Sequence, residues 1–366
     1  MPAPATVLMV ADDAATRGTV RALLESDPLV SVVAVVCTEA EALERVTARR
    51  PDAVIVDAGL RGADPLALVG TLAGVFALPV LVLSPLTFEG AQAAIDALQR
   101  GALDFLPSEF DTLRIDEVRD ELVMKVRQAV QMTSRYGAEM ALPADALGPG
   151  APERPSAGSA GAAPPSGPFG AVLAALSTGG PKALLEMLPR IAAGFPLGMV
   201  VVQHSPASFT RTLADRLDAL SALRVAEARD GDAVEPGRIL IAPGSRHLTF
   251  RRDGTVTRVV LSDTPLASLY RPSADITLAS AAGTFGAPLL GLIMTGMGND
   301  GLQGTREIKR EGGRVVVQEQ RSCTAPGMPL AVLKAGLADS VLPLDAFPRM
   351  LDSVLAAQRG GGRMSD

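Results

Sequence analysis

Short β-branched runs alternate with Ala- and Leu-rich amphipathic stretches from Thr6 to about Val130. The runs fall at Val7–Val10, Val30–Val36, Ala53–Val56, Val80–Leu83 and, more weakly, Leu103–Leu106. Between and after them Thr16–Ser26, Glu39–Arg49, Leu66–Phe76, Gly90–Arg100 and Ile115–Gln131 carry a helical period. Runs that are apolar throughout belong to strands covered on both faces, so this alternation predicts a parallel sheet between two layers of helices. Near Gly137 the pattern stops. Residues Gly148–Pro168 are almost all Gly, Ala, Pro and Ser. Such a stretch has nothing bulky to bury against its ordering entropy and predicts a flexible linker.

The alternation resumes at Phe169. Strands are predicted at Ala171–Leu176, Met199–Gln203, Arg224–Ala226, Ile239–Ala242, Leu289–Met294 and Arg314–Gln318. Leu248–Arg251 and Thr255–Leu261 flank Asp253-Gly254, the preferred two-residue turn of a hairpin. The expected organisation is a first α/β domain over residues 1–131, a linker over 132–168, a second α/β domain over 169–358 and a frayed tail over 359–366.

Composition narrows the chemistry. Aromatic residues make up 3% of the chain and Trp is absent, which leaves little to stack sugars or single-stranded nucleic acid on. The net charge of -6 opposes phosphate backbones, so nucleic acid is not an expected partner. Cys37 and Cys323 stand far apart without metal-ligand spacing, as in a reducing cytoplasm. No apolar run approaches the roughly 20 residues of a membrane span, and no signal pattern opens the chain. The expected location is therefore cytoplasmic, not membrane-inserted. The chain has two histidines, His204 and His247, so a mechanism needing imidazole has two candidates.

Open α/β sheets bind ligands beyond the carboxyl ends of their strands. In the second domain the predicted strand ends are followed by Ser177-Thr178-Gly179-Gly180-Pro181, by His204, by a loop carrying His247, and by Thr295-Gly-Met-Gly-Asn-Asp300-Gly301. A serine, a histidine and an aspartate on one rim are the parts of a nucleophile, base and orienter. Ser177 stands at a strand–turn–helix junction, where a helix start offers N–H donors to an oxyanion. Taken alone, Ser177 reads equally well as a helix cap, and a lone His as a structural one. The co-occurrence of Ser177, His204 and Asp300 favours catalysis. A rival is dinucleotide binding through Gly296-x-Gly298-x-x-Gly301, with Glu319 as the ribose-binding acid. It would set the Asp300 carboxylate against a pyrophosphate and leave Ser177 and His204 unexplained.

These residues carry a resemblance. Leu176-Ser-Thr-Gly-Gly-Pro181, Val202-Gln-His204 with Phe209-Thr210, Ile241-Ala-Pro-Gly-Ser-Arg-His247, Arg271-Pro-Ser273, Met294-Thr-Gly-Met-Gly-Asn-Asp-Gly301 and Gly327-Met-Pro329 resemble, in order, the protein-glutamate methylesterase and glutamine deamidase (CheB type) of bacterial chemotaxis. The first domain resembles a response-regulator receiver. The resemblance implies two doubly wound parallel-sheet domains: a flavodoxin-like receiver, then a Rossmann-like methylesterase domain with a β-hairpin insertion. It implies Ser177 as nucleophile, His204 as general base and acid, Asp300 as orienter, and backbone N–H groups of Thr178 and Met297 as the oxyanion hole. No metal is implied in the catalytic domain, and no cofactor for catalysis. The partners it implies are methylated chemoreceptor helices and a chemotaxis histidine kinase. Ala175-Leu176 stands where the family has Gly-Ala, which is expected to tighten the turn at Ser177. Ser205 stands where Met is usual, at the expected substrate groove.

The receiver departs further from its family. Asp57 and Ser84 match the phospho-acceptor and switch positions. At the acidic pair that holds Mg²⁺, Ala11 replaces the first acid, Asp12 holds the second place, and Asp13 follows where a small residue is usual; a one-residue slip is the alternative alignment. The phosphate-binding lysine is missing from Leu106-Pro-Ser-Glu109, and Lys125 is the only lysine in the first 130 residues. Leu60-Arg61 and Asp64-Pro65 replace Met-Pro and Asp-Gly after Asp57. The expectation is a receiver fold with weak or no phosphorylation, in which Mg²⁺ at the impaired acidic pair is the one cofactor left open, controlling Ser177 by docking. Two functions of other classes remain beside the methylesterase: a non-catalytic chemosensory adaptor with a pseudo-receiver, and a general carboxylesterase.

Overall fold

The computed structural model describes residues 3–108, 115–140, 169–265 and 268–361. The chain divides into two compact units, Met1–Ser156 and Ala157–Asp366, each with its own core.

In the first unit five strands and five helices alternate: β1 (Ala5–Val10), α1 (Ala14–Glu25), β2 (Val30–Val36), α2 (Glu39–Ala48), β3 (Ala53–Asp57), α3 (Pro65–Gly74), β4 (Val80–Ser84), α4 (Phe88–Gln99), β5 (Asp104–Pro107) and α5 (Ile115–Met140). The strands pair in parallel in the order β2-β1-β3-β4-β5, the flavodoxin-like winding. Local chemistry sets the helix starts. The side chains of Asp13, Thr38, Asp64 and Thr87 accept from the first-turn N–H groups of α1, α2, α3 and α4, and Pro65 opens α3 where no N–H is needed. Val7, Met9, Ile55, Leu81, Leu83 and Leu106 are buried in one core with residues of α1 and α5. The solid apolar runs are thus strands buried on both faces.

The expected end of α5 was Gln131, and the helix continues to Met140. Apolar period fades after Val130, but Met132 to Met140 contains no proline, and its single Gly137 costs a helix only about 1 kcal/mol. Loss of amphipathic pattern therefore placed the boundary too early. The remainder of the expected linker, residues 141–168, lies outside the described residues.

The second unit contains β6 (Ala171–Leu176), α6 (Gly180–Met187), β7 (Gly198–Gln203), α7 (Ala207–Leu220), β8 (Arg224–Glu227), β9 (Arg238–Ile241), β10 (His247–Asp253), β11 (Val256–Ser262), α8 (Ala274–Thr284), β12 (Leu290–Ile293), α9 (Leu302–Arg310), β13 (Arg314–Gln318), α10 (Gly327–Lys334), β14 (Ser340–Leu342) and α11 (Phe347–Gly361). Seven strands form a parallel sheet in the order β14-β13-β12-β6-β7-β9-β8, and β10 and β11 form a separate antiparallel hairpin. Every residue of β6 and β7 is buried. The chain winds from β6 outward through β7 on one side, and later returns to add β12 on the other. The crevice beside β6 is therefore a topological switch point, where such sheets bind ligands.

Edge strand β14 was not anticipated; a three-residue Ser-Val-Leu run is too short to carry a strand period. At the other end of the unit, α11 extends to Gly361, past the expected start of the tail at residue 359. Among the described residues no helix is long and apolar enough to cross a membrane.

Candidate active site

Ser177 is the first residue after β6. Its N–H donates to the Thr295 carbonyl (3.0 Å), and its own carbonyl accepts from Gly180 N–H (2.8 Å), closing a tight turn into α6. Gly179 within that turn has φ +75°, and a Cβ there would collide with the Thr324 side chain. Gly296, in the loop after β12, lies flat against the nucleophile. A Cβ on it would fall 2.9 Å from Ser177 Cβ and would strike Met328 Sδ. Two of the glycines in the two motifs thus serve close approach around one serine. Ala175 takes an ordinary ladder place between Val202 and Ile293.

His204 is the first residue after β7, with its N–H donating to Leu176 carbonyl (3.1 Å). Its Nε2 lies 2.8 Å from Asp300 Oδ2. Its Nδ1 is buried without a hydrogen-bond partner. With Nε2–H donating its hydrogen bond to the carboxylate, Nδ1 of the neutral imidazole keeps a lone pair. The two nitrogens therefore exchange the places they hold in the serine-protease template, where Nδ1 faces the acid.

Asp300 is held by five donors. Oδ1 accepts from Ser273 Oγ (3.0 Å), Asp275 N–H (2.9 Å) and Gly301 N–H (3.1 Å), and Oδ2 from Ala274 N–H (2.6 Å) besides His204. Ser273 caps α8, so the carboxylate sits on that helix's positive end. Burial works to raise its pKa, but the hydrogen bond and charge of His204 and the backbone donors of Asp275 and Ala274 outweigh it. The carboxyl stays below its ordinary value. Its lone pairs are committed to these groups, and Gly296 is packed on Ser177, so the Gly296–Gly301 loop is not arranged as a pyrophosphate cradle.

Thr178 is buried directly after the nucleophile, and its carbonyl accepts from Thr295 Oγ1 (2.8 Å). Met297 follows Gly296. Among the described residues neither the Thr178 nor the Met297 N–H donates to a protein acceptor. His247 does not join the cluster. It is fully buried at the start of β10 with Nε2 3.1 Å from the Pro265 carbonyl, a structural role.

Three neighbours escaped the sequence reading. Gln203, 1% exposed at the end of β7, donates through Nε2 to the carbonyls of Ser177 (2.9 Å) and His204 (3.0 Å) and to Ser205 Oγ (3.2 Å). Thr295 donates its N–H to Gln318 Oε1 (2.9 Å) and accepts at Oγ1 from Ala325 N–H (3.0 Å), fixing the loop after β12. Tyr270 stacks on the His204 ring, centroids 4.4 Å apart and planes 6° off parallel. For Gln203 the only advance signal is its place before His204 at a strand end. Gln203→Leu leaves buried carbonyls without that donor and is expected to destabilise the second unit by about 1–3 kcal/mol, read by urea unfolding. An unchanged midpoint would count against the clamp.

In the first unit Asp57 ends β3, buried, and accepts from Gly59 N–H (2.8 Å). Burial raises its pKa, Gly59 opposes, and the charges of Asp12 and Asp13 add to the rise. Ser84 ends β4, but its hydroxyl is donated to the Gly90 carbonyl (2.6 Å). Asp12 Oδ2 accepts from Arg61 N–H (3.2 Å) and Nε (3.1 Å). Asp13 is the N-cap of α1, accepting from Thr16 N–H (2.7 Å), while Ala11 is buried and bonded through its N–H to the Val36 carbonyl. Asp13, which a one-residue slip would bring into the acidic pair, thus caps α1 through Oδ2. Lys125 is also spent: its buried Nζ donates to the Phe105 carbonyl (2.8 Å) and pairs with Glu121 (2.9 Å) and Asp104 (3.7 Å). Among the described residues no group of three His, Cys, Asp or Glu is gathered to hold a metal ion.

Residues 172–351 match the CheB methylesterase family, and residues 7–118 match the response regulator receiver domain. The protein-glutamate methylesterase/protein-glutamine glutaminase 1 of Oleidesulfovibrio alaskensis is 38% identical over 93% of this chain and 96% of its own. A protein-glutamate methylesterase/protein-glutamine glutaminase of Pyrococcus abyssi is 34% identical over 98% and 95%. The crystal structure of the Thermotoga maritima CheB methylesterase catalytic domain, 38% identical, matches 51% of this chain and all of that one with a TM-score of 0.49. Similarity that runs nearly end to end through both units places the chain in the CheB methylesterase family, with a response-regulator receiver domain ahead of the methylesterase domain.

Proposed function

We propose that this chain, a protein-glutamate methylesterase by family, hydrolyses glutamyl methyl esters on the cytoplasmic helices of chemoreceptors through Ser177, His204 and Asp300. The observation that carries the reading is the His204 ring: Nε2 on Asp300 and a buried, unpartnered Nδ1 on the same rim as Ser177. His204 Nδ1 takes the Ser177 proton as Oγ attacks the γ-carbonyl. The oxyanion is received by the free N–H groups of Thr178 and Met297. Collapse expels methoxide, which takes the proton from His204 and leaves as methanol. A water, deprotonated by the same nitrogen, then releases the glutamate and restores Ser177. A glutamine amide follows the same course with ammonia as leaving group, which is the deamidase activity. Nδ1 has no hydrogen bond from Ser177 Oγ, and contacts of this kind commonly tighten only as substrate binds.

The test is release of labelled methanol from membranes carrying methyl-labelled receptors. Release no faster than without protein sinks the reading. A cytoplasmic location and a chemotaxis histidine kinase as partner of the first domain belong to the same proposal. For that domain the reading is weak or absent phosphorylation of Asp57 with an impaired place for Mg²⁺, supported by Ala11, by Ser108 in the turn that lacks the phosphate-binding lysine, and by the engagement of Asp12 and Asp13.

A further inference from the structure

The His204 ring is held at its Nε2 edge by one hydrogen bond. Fixed covalently through Cβ and at Nε2 by that bond, the ring can still rock about the line between them, and each such motion swings Nδ1 relative to the Ser177 rim. The face of the ring is covered by Tyr270, parallel to within 6° at a centroid distance of 4.4 Å. We propose that Tyr270 is a positioning residue: its ring fixes the plane of the His204 imidazole and so the direction of the Nδ1 lone pair. The proposal rests on the triad reading above and deepens it.

Three features support a positioning role rather than incidental packing. Tyr270 is half-buried at the site, in a chain with only two tyrosines and no Trp; a ring at this spot is not a product of aromatic abundance. Its backbone is pinned, since Ser268 Oγ donates to the Tyr270 carbonyl (2.8 Å) and Ser245 N–H to the Arg271 carbonyl (3.1 Å). The segment then runs straight into Ser273, Ala274 and Asp275, which hold Asp300. One stretch of chain therefore touches the imidazole twice, on its face through Tyr270 and at Nε2 through Asp300. The Tyr270 hydroxyl also lies over Gly298, where a Cβ would come within 2.8 Å of it. The ring thus bridges the base and the loop that carries Met297. Rings in stacked contact at this distance restrict one another's tilt, so the imidazole turns out of plane only against the Tyr270 ring.

The experiment compares wild type, Tyr270→Phe, Tyr270→Leu and Tyr270→Met for methanol release and for the proton spectrum of the histidine rings. With two histidines in the chain, the His204 ring signals are assigned by their loss in His204→Gln. Tyr270→Phe keeps the stack and is expected to keep kcat and the upfield, ring-shielded His204 signals. Tyr270→Leu and Tyr270→Met are expected to move those signals downfield and lower kcat by about 10- to 100-fold with KM little changed, the scale of a misplaced catalytic group. Met supplies the volume without the ring, so it serves where Leu does not fold. The proposal is overturned if Phe loses as much activity as Leu, which would assign the role to the hydroxyl. It is overturned equally if Leu and Met raise KM alone, or if the wild-type His204 signals are unshielded. The spectrum needs no substrate, so a wild type with shielded His204 but no methanol release would sink the esterase reading and not the stack.

Discussion

Ser177→Ala is expected to lower kcat for methanol release by roughly 10⁶-fold and Asp300→Asn by roughly 10⁴-fold, the losses found when other triads are broken. The double variant should be no slower than Ser177→Ala alone, because an orienter has nothing to orient once the nucleophile is gone. The size of the Asp300 effect follows from its partners. Oδ1 and Oδ2 together accept from Ser273 Oγ, three backbone N–H groups and His204. An asparagine must turn its NH₂ toward one set. If the NH₂ faces Nε2, it donates to that nitrogen, forces the imidazole proton onto Nδ1, and removes the lone pair meant for Ser177. If the NH₂ faces α8, it opposes N–H donors at the positive helix end. In either pose the imidazolium formed during attack lacks its carboxylate. Residual activity within tenfold of wild type in Asp300→Asn would overturn the assignment.

The same carboxyl links stability to pH. Its folded pKa is depressed, so its contribution is complete above the ordinary carboxylate value of about 3.9 and is lost as pH falls through the lower folded value. The stability gap between wild type and Asp300→Asn should therefore close in acid, measured by urea unfolding from neutral pH downward.

The fold was legible because the central strands are solidly apolar and the hairpin is marked by Asp-Gly, whereas the short edge strand β14 carries no such signal. Burial on both faces writes itself into sequence as Val-Val-Val-Gln203 and Ala-Val-Leu-Ala-Ala-Leu176. The candidate site was legible where polar residues sit on strand ends beside glycines: His204 and Asp300 are hydrogen-bonded, and Ser177 and His204 follow the adjacent strands β6 and β7. What escaped notice acts through space. Tyr270 is distant from His204 in the chain and lies in a loop without periodicity, so no spacing announces the stack. Gln203 looks like the last residue of a strand, and only the fold reveals that it reaches two carbonyls of the site. Ser273 and α8 likewise become visible as the seat of Asp300 only once the chain has folded. His247 shows the opposite error of residue counting: one of only two imidazoles, it is a core group bound to a carbonyl.

Wild-type chain incubated with a small phosphodonor and Mg²⁺ is expected to take up no stable phosphoryl group at Asp57, whereas Ala11→Asp combined with Ser108→Lys is expected to take one up. The argument is electrostatic. Asp57 is buried beside Asp12 and Asp13, and burial with those charges raises its pKa, so an incoming phosphoryl group meets negative charge that an ion and a lysine would normally offset. Here the one lysine nearby in sequence is committed to Phe105, Glu121 and Asp104. Arg61, with its side chain 83% exposed, holds Asp12 instead, and a pair so open to solvent is a weak substitute. Ala11→Asp places a carboxylate at a buried position, which destabilises the unit unless a cation meets it. The repaired variant should accordingly melt higher as Mg²⁺ is added, since the ion binds only the folded state, while the wild-type transition stays where it was. Adding Asp57→Asn to the repaired variant should abolish labelling and thereby locate the phosphoryl group. Labelling of wild type at Asp57 to the same extent as the repaired variant would show that Ala11 and Ser108 are not what limits this receiver.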